Sequence, residues 1–279
     1  MSLRKKLRHL LRIFFKSKLL FAFFSLSLSL LLVVGSTYAW ITDSDQRLNR
    51  SEKQTSKLQV RLDGDFNQVM YWAPGTTKQK PIRVANYGKV PAMVRISFEE
   101  FFVGFETDVQ DNHGDGNGNG DLVVYASPEL PAITRDTSTW VVGKTYEANA
   151  NKYYKANKVL LNEAYAYKGT RAEPLPAVQL NFISNKFFDS TNQPGNTEKD
   201  YWYYEDGFFY YSEILEPNDT TTDLLASVTL SSDYANQYKG GLYHLVPTMD
   251  AHDIGKSLLT NWTLDPSKFV HDMYKDKLH

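Results

Sequence analysis

A period of two in hydrophobicity runs through most of the chain after residue 55 and confines it to β-strands. Leu58, Val60 and Leu62 alternate with Gln59 and Arg61, and Ile82 and Val84 alternate with Pro81 and Arg83. Asn86-Tyr87-Gly88-Lys89 punctuates that run, and Val90, Ala92, Val94, Ile96 and Phe98 then alternate with Pro91, Met93, Arg95 and Ser97. This reads as a strand, a turn and a longer strand with one buried face. Val178, Leu180 and Phe182 repeat the pattern, as do Ala226, Val228 and Leu230. Tyr201 to Tyr204, Asp206-Gly207 and Phe208 to Leu215 predict a hairpin, because Asp-Gly accepts the positive φ angles of a tight turn. Two stretches depart from the alternation. Ala156, Val159, Leu160, Ala164 and Tyr167 fall at helical spacing, with Gly169 placed to end a helix. Ile254, Leu258, Leu259 and Trp262 share one side of a short helix within 249–262, which Gly255 weakens. The expected architecture is mainly β: an antiparallel, jelly-roll-like β-sandwich with one or two short helices, forming a single domain over 58–279.

The first 39 residues read differently. Arg4, Lys5, Lys6, Arg8, Arg12, Lys16 and Lys18 form a basic head without an acid, Leu19 to Val34 carries no charge, and Thr37-Tyr38-Ala39 ends the run with small-x-small spacing. These are the parts of a secretory signal peptide, with cleavage expected between Ala39 and Trp40. An uncleaved anchor is the alternative, although 16 apolar residues fall short of the roughly 20 that span a bilayer comfortably. Export removes seven of the 31 basic residues and none of the 32 acidic ones, leaving 24 against 32 and a charge near −8. Such a surface repels phosphate backbones, so nucleic acid is not an expected partner. The processed product is expected outside the membrane, secreted or held at the cell surface by its own assembly.

The chain has no cysteine. Packing, a metal or another covalent link must therefore supply stability in an oxidising space, and thiol catalysis and cysteine-bound metal centres are excluded. Lys–Asn isopeptide links are one such covalent route, and nothing in the sequence pairs particular residues for it. Residues 40–57, with the polar run Thr42-Asp43-Ser44-Asp45-Gln46, form an arm with little to bury, expected to stay mobile until captured.

Three blocks resemble a known group. Gly35-Ser36-Thr37-Tyr38-Ala39-Trp40-Ile41-Thr42-Asp43-Ser44-Asp45 is similar to the processing junction of proteins exported through the SipW-type signal peptidase, with Ile41 where a second aromatic is usual. Val84 to Ile96 and Tyr201 to Tyr211, continuing to Leu230, look like the BsaA-type branch of the TasA/camelysin-like group. The resemblance implies a secreted β-sandwich subunit that forms a homopolymer in the biofilm-matrix fibres of a Gram-positive bacterium. A freed arm followed by Leu58, Val60 and Leu62 is suited to pairing with a sheet edge, either of its own domain or of the next subunit.

Other chemistry competes with this structural reading. Asp115, Asn117, Asn119 and Gly120, in the Gly/Asn/Asp-rich loop 111–121, match the first half of a calcium loop; Ala126 stands where the bidentate Glu belongs. A plain connector between strands is the competing reading. His244, Asp250, His252 and Asp253 offer zinc-type ligands, but no His-Glu-x-x-His occurs, although camelysin-like relatives are described as metalloproteases. Glu99-Glu100 and Glu205-Asp206 are adjacent acids, which strands turn to opposite faces. No catalytic constellation emerges, and the chain is not expected to be an enzyme. The aromatic block predicts buried rings alternating with an outward row, so that Tyr201, Trp202, Tyr204, Phe208 and Tyr210 are candidates for an interface. Secreted adhesion or carbohydrate binding through the hairpin 201–211 is the alternative to fibre assembly.

Overall fold

The alternating segments pair into two sheets. The computed structural model describes residues 58–108, 120–234 and 236–279, all within the unit Ser56–His279. The leader 1–39 with Ala39 and Trp40, the arm 40–57 and the calcium-loop residues Asp115, Asn117 and Asn119 lie outside the described residues. In chain order the strands are β1 Val60–Gly64, β2 Thr77–Asn86, β3 Met93–Phe105, β4 Thr145–Asn149, β5 Lys152–Ala164, β6 Val178–Phe182, β7 Phe187–Phe188, β8 Trp202–Glu205, β9 Phe208–Tyr211, β10 Leu225–Leu230 and β11 Leu242–His252. Two short helices follow, α1 Ser257–Asn261 and α2 Phe269–Lys275. The first sheet has four strands in the order β1-β2-β10-β6. The second has seven, in the order β4-β5-β3-β9-β8-β7, with β11 on the other side of β3. Every pairing is antiparallel except β7 with β8.

Strand β3 organises the second sheet. It pairs with β11 along its length on one side; on the other, Arg95 and Ile96 meet β9 and residues 99–105 meet β5. Its side chains feed three cores. Val94, Ile96, Phe98 and Phe102 enter the main core between the sheets, with Ile82, Val84, Leu225, Val228 and Leu230 opposite. Met93 faces the layer formed by α1 and α2, and Phe101, Val103 and Phe105 pack with Ile133 and Trp140. The second sheet is thus covered on both faces, which explains why β3 reads Phe101-Phe102-Val103 without a polar interruption.

The helix expected over 156–167 is instead the second half of β5 and the residues after it. Two irregularities against β3 explain the misleading spacing. The partner of Phe105 is Ala156 and that of Gly104 is Lys158; the partner of Phe102 is Leu160 and that of Glu100 is Glu163. Each step inserts an extra residue on β5, Asn162 taking a positive φ of 55° in the second. Two bulges push the period of two out of phase, leaving apolar residues three and four apart as on a helix. The C-terminal helix is present as α1, with Leu258 and Trp262 buried against the sheet and Ile254 and Leu259 partly so.

One charged pair ties the sheets together inside the core. Glu100 of β3 has no exposed surface; its carboxylate accepts from both ends of the Arg171 guanidinium, Nε at 2.9 Å and Nη2, and from the Tyr243 hydroxyl at 2.8 Å. Arg171 also donates to the Val178 carbonyl at 2.8 Å and lies over the Tyr165 ring. Burial pushes the Glu100 carboxyl above its usual range, and the bonds from Arg171 oppose that shift. Removing one member leaves a buried charge without compensation, a loss of about 3–5 kcal/mol. Arg171→Ala should therefore lower the thermal midpoint followed by circular dichroism by roughly 10 °C, while replacing Glu100 and Arg171 together by apolar residues recovers part of it. An unchanged midpoint in Arg171→Ala would refute the role given to the pair.

Candidate functional site

The aromatic hairpin forms as expected: Asp206 and Gly207 take φ of 50° and 85°, and Trp202, Tyr203, Tyr204 and Glu205 pair with Tyr211, Tyr210, Phe209 and Phe208. Its rings do not form an outward row. Trp202, Phe209 and Tyr211, with half-buried Tyr204, point into the main core, where Tyr165 stacks on Phe209. On the opposite face Tyr201, Tyr203 and Tyr210 are 7%, 1% and 3% exposed. The helices cover them. Phe269 of α2 stacks on Tyr203 at 4.3 Å, Tyr274 and Trp262 flank Tyr210, and the Tyr274 hydroxyl donates to the Tyr211 carbonyl. Phe208 is half-buried under Arg95, whose guanidinium lies between the rings of Phe208 (4.1 Å) and Trp262 (4.7 Å) and bonds Asp250 at 2.9 Å. Tyr201, Trp202, Tyr204, Phe208 and Tyr210 thus spend their area within the chain. Covering this face took aromatic residues at 262, 269 and 274, and their distance along the chain hid the contact from a local reading.

The zinc-type residues do not converge. His244, Asp250 and His252 lie along β11, the first two about 20 Å apart at strand rise. Asp250 is taken by Arg95, and His252 bonds Asn261 at 2.8 Å and pairs with Asp253. Among the described residues no group of three or more His, Asp or Glu could hold a metal. Glu99 and Glu100 do point to opposite sides, one exposed and one buried. A shallow cavity of about 280 Å³ is lined by Asp65, Asn67, Gln68, Val69, Met70, Lys78, Gln79 and Lys80. Burial lowers the pKa of Lys80, whose ammonium donates to the carbonyls of Asp65 (3.3 Å) and Asn67. This lysine pins the 65–67 segment, with the Asp65 carboxylate 3.9 Å from its ammonium. Beside the calcium candidates, which lie outside the described residues, Asp108 N donates to the Asp121 carbonyl at 2.8 Å and Thr107 bridges Leu122.

The assembly candidates Leu58, Val60 and Leu62 occupy an informative position. β1 is an outer strand of the four-stranded sheet, and all three side chains are half-buried against the main core. At the other edge of this sheet lies β6, where Leu180 and Phe182 are likewise half-buried. Edge strands template pairing with another chain unless they are short, charged, interrupted by proline or covered. In the second sheet each edge carries such a device. Ile133 bridges β4, which the Tyr71 hydroxyl also meets at the Glu147 carbonyl, 3.0 Å; β11 contains Pro247; and β7 is two residues long. β6, Val178-Gln179-Leu180-Asn181-Phe182, has neither charge nor proline.

The chain leaves β7 at Asp189, whose carboxylate holds a tight turn. One oxygen accepts from the Thr191 amide and hydroxyl, both at 2.6 Å, and from the Asn192 amide at 3.1 Å; the other accepts from Lys168 at 2.8 Å. Burial alone would raise this carboxyl, but Lys168 and the turn donors outweigh it and hold the pKa at about 2. Because the folded value is depressed below the ordinary 3.8, the stabilisation is present above that value and lost as pH falls through about 2. Thermal midpoints measured from pH 5 to pH 2 should therefore fall more steeply for the parent than for Asp189→Asn; parallel curves would contradict the assignment.

No family model, curated protein or solved structure matches the chain.

Proposed function

We propose that the chain is a secreted structural subunit that self-assembles into extracellular biofilm-matrix or surface fibres, with no catalytic role. The observation that carries this reading is the place of Leu58, Val60 and Leu62, directly after residues 40–57, at an edge of the four-stranded sheet that no other strand pairs among the described residues. An arm entering at a sheet edge is where strand pairing between subunits begins. The leader, with processing between Ala39 and Trp40 by a SipW-type peptidase, supplies export, and the acidic balance of the remainder keeps the free subunit soluble. Adhesion or glycan binding through 201–211 has less to support it, since Tyr201 and Tyr210 lie beneath α1 and α2 and Trp202 and Tyr204 turn to the main core.

Burying three aliphatic side chains at β1 gains on the order of 5–9 kcal/mol, against an association cost of about 4–15 kcal/mol, so a fibre needs a wider contact than these three. Electron microscopy and sedimentation of the purified chain starting at Trp40 should show fibres. The same chain without 40–56 should stay folded by circular dichroism and need a higher concentration to assemble. A parent that remains a monomer at every concentration would overturn the proposal.

A further inference from the structure

We infer that one subunit joins the next by continuing the four-stranded sheet across the molecular boundary: the outer edge of β1 pairs antiparallel with the outer edge of β6 of a second copy, with Leu62 opposite Leu180 and Val60 opposite Phe182. This inference rests on the fibre reading and names its contact. β1 keeps its place in its own sheet, so no strand is exchanged.

Three independent features select this pairing. The first is direction. Successive strands β1, β2, β10 and β6 alternate in direction, so in a sheet of four the two edges run oppositely. A second copy translated along the sheet therefore presents its β6 antiparallel to β1 without rotation.

The second is the phase of the backbone groups. Tyr87 N donates to the Gln59 carbonyl at 2.8 Å and Asp65 N to the Pro81 carbonyl at 3.1 Å, which turns the odd residues of β1 inward to β2. The N–H and C=O groups of Val60, Leu62 and Gly64 then point outward. On β6, Ser231 N donates to the Ala177 carbonyl at 2.8 Å and Ile183 N to the Leu224 carbonyl at 3.3 Å, so Val178, Leu180 and Phe182 point outward. The Val178 carbonyl is already taken by Arg171 at 2.8 Å, which ends the free edge there.

The third is the phase of the side chains. The residues with outward backbone groups are also those turned to the core, where Val60, Leu62 and Leu180 are half-buried and Phe182 is half-buried beside Tyr167 and Phe187. Joining Leu62 to Leu180 and Val60 to Phe182 extends the apolar face. On the other face it sets Arg61 opposite Asn181 and Asp63 opposite Gln179, with no like charges meeting. A slip of one residue would pair outward groups with inward ones. Donor and acceptor edges lie on the same chain and match each other, so the fitting occupant is a second copy in a head-to-tail contact that does not close.

The absence of cysteine makes this directly testable. Arg61 and Asn181 would face each other across the new edge as a non-hydrogen-bonded pair, with Cα atoms about 4.5 Å apart. Within one copy they sit on strands separated by three spacings, about 14 Å, beyond the roughly 7 Å a disulfide can bridge. Oxidised Arg61→Cys/Asn181→Cys chain, starting at Trp40 and assembled under fibre-forming conditions, should run as a ladder of many subunits on a non-reducing gel. Each single variant should stop at the dimer. Gln179→Glu, which opposes Asp63 of the next copy, should raise the concentration needed for assembly at low salt about tenfold, and Gln179→Lys should lower it. Parent fibres with no ladder from the double variant, or equal effects of Gln179→Glu and Gln179→Lys, would overturn the β1–β6 contact and leave the fibre reading standing. A parent that forms no fibres would remove both.

Discussion

A buried carboxylate that must be satisfied shapes how the two sheets meet. Glu100 sits on the strand at the centre of the second sheet, and its oxygens are filled by Arg171 and Tyr243. Arg171 in turn reaches the Val178 carbonyl on the edge of the first sheet. The pair therefore fixes the distance between layers, the end of β6 that faces solvent, and the loop that carries Arg171. Apolar packing would tolerate sliding of one sheet over the other. A guanidinium bound at both ends of a carboxylate does not, since any slip leaves a charge in the core without partners.

The layers differ in what their faces ask of the sequence. The second sheet buries one face against the first sheet and the other against α1, α2 and the segment around Trp140. Its aromatic density follows from that. Tyr203 and Tyr210 lie on the face opposite Trp202 and Phe209, and both rows need a cover. Arg95, held between Phe208 and Trp262 and bonded to Asp250, joins that cover to the sheet by stacking and charge together. The first sheet has one polar face, and Arg61, Arg83 and Asp63 lie there in solvent.

Much of the strand content was legible because single-faced strands announce themselves by alternation, as in 82–84, 94–98, 178–182 and 226–230. The Asp206-Gly207 turn was legible for a local reason too, since few residues accept its φ angles. Two things were not. Bulges in β5 broke the alternation and imitated a helix, and nothing in Ala156 to Ala164 alone reveals that extra residues are absorbed against β3. Exposure was the other. Whether a strand lies at an edge, or whether a ring meets solvent, depends on segments far away: β6 became an edge by following β10, and Tyr203 was covered by Phe269. The candidate strand at 58–62 was visible as a strand, and its matching edge was not.

Strand β3 gives the fold one more property. Met93, Phe98 and Phe105 lie on the same 13-residue strand yet belong to three different hydrophobic clusters. No cluster can come apart without loosening a backbone that the other two share. The energetic independence usual among satellite cores is thereby lost, and the molecule behaves mechanically as one element with three anchorages.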